Sequence, residues 1–169
     1  MFGDIEFPEI VFARHHLSHA CMAYFHSGMD NALVLVIDGS GEFVTTTWWL
    51  GANNKLELLR EIRIPHSLGW LYSAFTEYLG FKAYDGEYKV MGLAAYGKPD
   101  EELNNKISKL AWYDGKGGFE TNPMLISRGP RSFSYYYPDS LIDFMGKKPR
   151  VGDEKITQWH MNLAYEVQK

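Results

Sequence analysis

The stretch from Ala13 to Glu42 constrains the fold more than any other. It begins Ala13-Arg14-His15-His16-Leu17-Ser18-His19-Ala20 and ends Val34-Leu35-Val36-Ile37-Asp38-Gly39-Ser40-Gly41-Glu42. The second half, from Ala32 to Asp38, is a continuous apolar run that ends in a carboxylate and glycines. That is the pattern of a strand buried on both faces. In open α/β sheets, ligands gather outside the carboxyl ends of strands, where Asp38 falls. The first half has helical spacing: Leu17, Ala20, Cys21, Tyr24 and Phe25 share a face, and Ser27-Gly28 supplies the stop. His15 and His19 lie one turn apart, about 5–6 Å between Cβ atoms, so two imidazoles can grip one divalent ion. Asp38 offers a hard oxygen as third ligand. His26 is seven residues past His19, about 10.5 Å along the axis, too far to join them. The competing interpretation is a helix start with solvated or hydrogen-bonded histidines. His16 beside the pair reads either as a general base or phosphate donor, or as a side chain turned into the core.

Around this stretch the pattern predicts a mixed α and β chain. Glu9–Ala13 reads as a short strand. Phe43–Leu50 and Lys55–Ile64 read as the next strands of a meander, joined by the turn Gly51-Ala52-Asn53-Asn54. Ser67 is placed to cap a helix reaching about Leu79, with Gly80 as its stop and Leu68, Leu71, Phe75 and Leu79 as its apolar stripe. Gly86 and Gly92 bracket Glu87 and Lys89, an exposed charge pair at a helix entry unless the pair serves a cleft. Asp100–Leu110 reads as an amphipathic helix. Asp114–Gly118 is a turn, since it lacks the ending and the strand-to-helix frame of a phosphate loop. Residues 119–137 read as irregular or short strands, with Tyr135-Tyr136-Tyr137 a packed edge strand or an aromatic platform. Asp139 is the expected cap of a helix to Met145. Lys147–Arg150 reads as a solvated basic loop, and a last helix starts near Asp153, buried through Trp159, Leu163 and Val167.

The chain has 169 residues, 46% hydrophobic and 15% aromatic, which excludes disorder and allows one real core. No window approaches the roughly eighteen apolar residues of a membrane span. The first ten residues, MFGDIEFPEI, lack the basic-then-apolar pattern of a secretory leader. A net charge of −4 gives no electrostatic case for nucleic acid. The lone Cys21 has no disulfide partner and reads as a small core residue. Together these predict a cytoplasmic protein without nucleic-acid or membrane partners.

Four pieces then carry a resemblance: HHLSHA, VLVIDGSGE, SLGWLYSAFTEYLGF and GEYKVMGLAAYGKP, in that order. Together they resemble the O-carbamoyltransferases of the NodU/CmcH family over nearly the whole chain. The resemblance implies an actin-like ATPase (ASKHA, ribonuclease H-like) lobe with a mixed sheet flanked by helices. It implies carbamoyl transfer from carbamoyl phosphate, through carbamoyl-adenylate, to a hydroxyl of a small acceptor, with ATP and a divalent metal; a set of two imidazoles and one carboxylate fits Fe(II) or Zn. It implies metal ligation by His15, His19 and Asp38. It favours Glu87 and Lys89 at the active-site cleft. By its position beside the histidine pair, His16 is a candidate catalytic group. Asp38, Gly39, Ser40 and Gly41 would then approach phosphate; the plainer reading of that loop is a hairpin turn. Against the family pattern, residues 1–169 read as one partial catalytic domain, without its upstream strands and later nucleotide-binding lobe. Such a piece alone would be inactive and would expose apolar surface suited to a homodimer. The rival readings are a metal-dependent hydrolase or kinase-like ATPase on the same fold, and a non-catalytic interaction module.

Overall fold

A computed structural model of the chain describes residues 8–126 and 137–169. The architecture is mixed α and β. A helix α1 (His15–Ser27) leads into the meander β1 (Asn31–Gly41), β2 (Val44–Ala52) and β3 (Lys55–Arg63), a three-stranded antiparallel sheet in that order. The helices α2 (Leu68–Tyr78), α3 (Glu87–Ala94) and α4 (Glu101–Ile107) follow. Then come a small hairpin, β4 (Ala111–Tyr113) with β5 (Phe119–Thr121), and the helices α5 (Pro123–Ile126), α6 (Asp139–Met145) and α7 (Gln158–Gln168). The resemblance implied a mixed sheet; both sheets among the described residues are antiparallel.

Two apolar cores build the molecule. The smaller sits between α1 and the sheet, where Ala20 and Tyr24 meet Val34, Val36 and Trp49. The larger gathers Leu71, Phe75 and Tyr78 of α2 with Val90 of α3, Leu141 of α6 and Leu163 of α7. Ser67 caps α2 as its sequence predicts, accepting from the Trp70 amide at 3.0 Å, and Gly80 at φ +79° ends it. Asp100 caps α4 in the same way.

Several expectations are corrected. Glu9–Ala13 forms no strand, because no neighbouring strand offers it a ladder among the described residues. β1 is buried on one face only: α1 covers Val34 and Val36, while Leu33, Leu35 and Ile37 are 66%, 50% and 51% exposed. The core face of α1 is His16, Ala20 and Tyr24, so Phe25 is exposed and Cys21 only half-buried. Pro138, not Asp139, holds the N-cap position of α6. α7 starts at Gln158, where Thr157 and His160 form a reciprocal cap, five residues later than Asp153 suggested. The Lys147–Arg150 loop is docked, not merely solvated. Lys147 Nζ stacks 4.2 Å from the Trp159 ring, and Arg150 donates to the carbonyls of Leu79 and Glu154. Tyr137 is buried beside Tyr78, and Tyr135 and Tyr136 lie outside the described residues. No helix among the described residues is long and apolar enough to cross a membrane.

Candidate metal centre and adjoining cleft

His15 and His19 project from the first turns of α1 toward the end of β1, where Asp38 waits. His15 Nε2 is 2.6 Å from Asp38 Oδ2, His19 Nε2 is 3.0 Å from His15 Nε2, and His19 Nε2 is 3.9 Å from Asp38 Oδ2. Ligand atoms about 2.0–2.2 Å from one ion stand about 2.8–3.6 Å apart, the low end for octahedral and the high end for tetrahedral geometry. The three separations bracket that range, so two imidazole nitrogens and one carboxylate oxygen fit a borderline divalent ion. Among the described residues this is the one cluster of three histidine, cysteine or acidic residues so arranged. The side chains keep 43%, 52% and 37% of their exposure, which leaves coordination positions open to a further ligand. Burial alone would raise the Asp38 carboxyl. The His15 hydrogen bond and the Gly39 amide, donating to Oδ1 at 2.6 Å, outweigh it and hold Asp38 below the ordinary carboxylate range.

The end of β1 is fixed from behind by α2. Ser67 Oγ donates to the Gly39 carbonyl at 2.7 Å while it caps its own helix. Gly69, in the first turn of α2, packs directly on the strand: a Cβ there would lie 2.6 Å from Gly39 N and 2.7 Å from the Asp38 carbonyl. The sequence reading found Ser67 as a cap but missed this bolt between helix and ligand strand. The available signal was Gly69 itself, since glycine inside a helix costs about 1 kcal/mol against alanine and so asks for a packing reason.

A cleft of about 780 Å³ opens beside this strand end, walled in part by Asp38, Gly39, Gly69, Tyr72, Ser73 and Glu87. The sequence-predicted Glu87 therefore shares a cavity with Asp38. Glu87 is the first residue of α3. It accepts from the Tyr84 amide at 2.8 Å, Ser73 Oγ at 2.9 Å and the Gly86 amide at 3.2 Å. Tyr72 donates to Gln168 Oε1 at 2.6 Å, and burial and the Glu87 charge push its phenol up. Lys89 is not brought to this cleft; it is exposed, with Nζ 6.0 Å from the Phe81 ring centroid and 5.8 Å from that of Tyr88. His16 turns the other way. It is buried, with Nδ1 3.1 Å from Thr47 Oγ1, in a separate pocket of about 380 Å³ between α1 and the β1–β2 hairpin. Burial holds its imidazole below the usual value despite the pull of Asp38. Of the loop expected to meet phosphate, the Gly39 amide is engaged by Asp38, Ser40 is half-buried, and Gly41 lies against the His15 ring.

Comparison with known proteins bears on the family of the chain. The family described as "Carbamoyltransferase N-terminus" matches residues 2–127. An uncharacterized protein of Synechocystis is 40% identical over 166 residues, 96% of this chain and 26% of that protein. The nodulation protein NolNO of Sinorhizobium fredii is 42% identical over 99 residues, 58% of this chain and 14% of its own length. The nodulation protein NolO of Bradyrhizobium diazoefficiens is 42% identical over 87 residues, 52% of this chain and 16% of its own. The chain thus spans about a quarter of the first relative and less of the other two. The four motifs, the convergence of His15, His19 and Asp38, and a family match over residues 2–127 give one answer: the chain belongs to the carbamoyltransferase N-terminal family.

Proposed function

We propose that this chain contributes the metal-holding wall of an ATP-dependent O-carbamoyltransferase built on an actin-like (ASKHA) lobe. The observation that carries the reading is the meeting of three ligand atoms, all within 4.8 Å of one another, from two elements of a chain in this family. The reaction moves a carbamoyl group from carbamoyl phosphate, by way of carbamoyl-adenylate, to a hydroxyl of a small acceptor. In the transfer step the hydroxyl oxygen bonds to the carbamoyl carbon, the bond from that carbon to the phosphate oxygen breaks, and AMP and a proton leave. When bound, a divalent ion, Fe(II) or Zn, supplies a Lewis acid and a template for the adenylate phosphates.

The chain's own residues do the rest. His15, His19 and Asp38 fix the ion's place. Asp38 is held below the ordinary carboxylate range, so it is anionic and available as a ligand over the physiological range. The cleft walled by Gly39, Gly69, Tyr72, Ser73 and Glu87 runs directly from that site, and it offers room to orient the adenylate and limit water. Glu87 holds the 84–87 turn through three donors and keeps that wall in shape. His16 lies outside this cleft, in its own pocket, which argues for a packing role in place of proton transfer. The setting is the cytoplasm, with a soluble hydroxylated acceptor and a second copy of the chain as partners.

The test is turnover by the full-length protein with carbamoyl phosphate, ATP and a panel of hydroxylated acceptors. The expected product is a carbamoylated acceptor that requires all three substrates. ATP or carbamoyl phosphate consumed at the same rate with and without acceptor, and no carbamoylated product, would favour the hydrolase reading.

A further inference from the structure

Helix α1 begins without a cap of its own. Arg14 occupies the N-cap position, its side chain makes no capping hydrogen bond, and the first turn holds no acidic residue. A helix start leaves its first backbone N–H groups without intrahelical partners. One of them, the His15 amide, donates to Glu42 Oε1 at 3.3 Å, from 27 residues further along the chain. Glu42 stands at the tip of the β1–β2 hairpin with φ +51°, a left-handed backbone that is uncommon for a residue with a side chain. Its neighbour Gly41 pairs with Val44 across that tip. Gly41 is buried and its own φ is not left-handed, so the backbone would accept an alanine. His15 is what excludes one. A Cβ on Gly41 would lie 2.4 Å from His15 Cδ2, 2.5 Å from Cγ and 2.6 Å from Cβ. A rotamer change can swing the ring away but cannot move the root of the side chain.

We propose that the Gly41–Glu42 hairpin tip is the positioning element of the metal site. The space left by Gly41 seats the His15 imidazole against Asp38, and Glu42 anchors the start of the helix that carries both histidines. The proposal rests on the metal assignment of His15, His19 and Asp38, but the seating is a property of the chain with no ion bound. Asp38 and Gly41 belong to the same strand end, so one short segment supplies a ligand and orients its partner. The rigid turn of helix then carries the placement on to His19. Gly41 acquires a reason for being glycine that differs from an approach to phosphate.

Two readouts test it. Cobalt(II) titrated into the metal-free chain, followed by its visible absorption, reports affinity and ligand geometry. A crystal or NMR structure of the metal-free protein reports where the His15 ring lies. Gly41→Ala is expected to weaken cobalt binding about 10–100-fold and alter the band shape, as loss of support around a ligand does. It is also expected to take His15 Nε2 out of hydrogen-bond reach of Asp38, with the circular dichroism of the folded chain retained. Glu42→Ala, which adds no atom, is expected to weaken binding about 2–10-fold through loss of the cap. Wild-type affinity, band shape and His15 position in Gly41→Ala would overturn the proposal, even if its melting temperature fell. If Gly41→Ala does not fold, wild-type cobalt affinity in Glu42→Ala overturns it. A wild-type chain that takes up no cobalt, beside a Gly41→Ala chain whose His15 has moved, removes the metal assignment and upholds the seating of His15.

Discussion

Glu87 shows how a carboxylate in the cleft is held ionised. Burial alone pushes it up, but the Tyr84 and Gly86 amides and the Ser73 hydroxyl stabilise the charged form and bring it below its ordinary value of 4.5. The sign of the linkage follows. A carboxylate depressed on folding contributes stability that is present above pH 4.5 and fades as pH falls through the lower folded value. Hydrogen bonds to a charged group each contribute about 1.5–3 kcal/mol when buried, and partial solvent exposure reduces that. Between pH 7 and pH 3 the native chain should therefore lose more stability than Glu87→Gln in denaturant titrations. Parallel curves for the two proteins would show that the contacts of Glu87 do not favour its anion. In a separate comparison at pH 7, Glu87→Ala should lower stability by about 1–2 kcal/mol, since the Tyr84 and Gly86 amides lose their acceptor.

At the scale of elements, the site depends on how α1 and α2 meet the end of β1. Ser67 serves both helix and strand, so Ser67→Ala removes a cap and the bond to the Gly39 carbonyl together. The expected loss is about 1–2 kcal/mol, read as a lower melting temperature. The residues of the proposed metal site were legible because each half of the signal is local: an i, i+4 histidine pair on a helix, and a carboxylate ending an apolar strand. Ser67 was legible as a cap for the same reason. What escaped was non-local. The acceptor for the His15 amide comes from Glu42, and nothing in the Arg14–His15 neighbourhood points there. The basic loop at Lys147–Arg150 looked solvated because its partners, Trp159, Phe81 and the end of α2, are distant in sequence. The apolar run of β1 suggested two covered faces, yet composition cannot say which face a helix takes. Val34 and Val36 went under α1, and Leu33, Leu35 and Ile37 did not.

For the whole molecule, that open face of β1 has consequences. Three adjacent aliphatic side chains at half exposure or more form the kind of surface that soluble chains tend to cover. The chain should therefore associate reversibly in sedimentation velocity at micromolar concentrations, and Leu35→Lys should leave it monomeric. Identical sedimentation of the two would assign any association to another surface. The larger core, the cleft and the His15–His19–Asp38 cluster also depend on one another through the end of β1, since α2 belongs to that core and bolts the strand that bears Asp38. The proposed function requires that strand end to hold a metal between its carboxylate and two histidines. The most direct measurement is the metal content of the purified chain after loading under metal-replete conditions, beside His19→Ala prepared in the same way. One bound equivalent per wild-type chain and a large loss in the variant are expected, and equal metal content in the two would contradict a metal held by His15, His19 and Asp38.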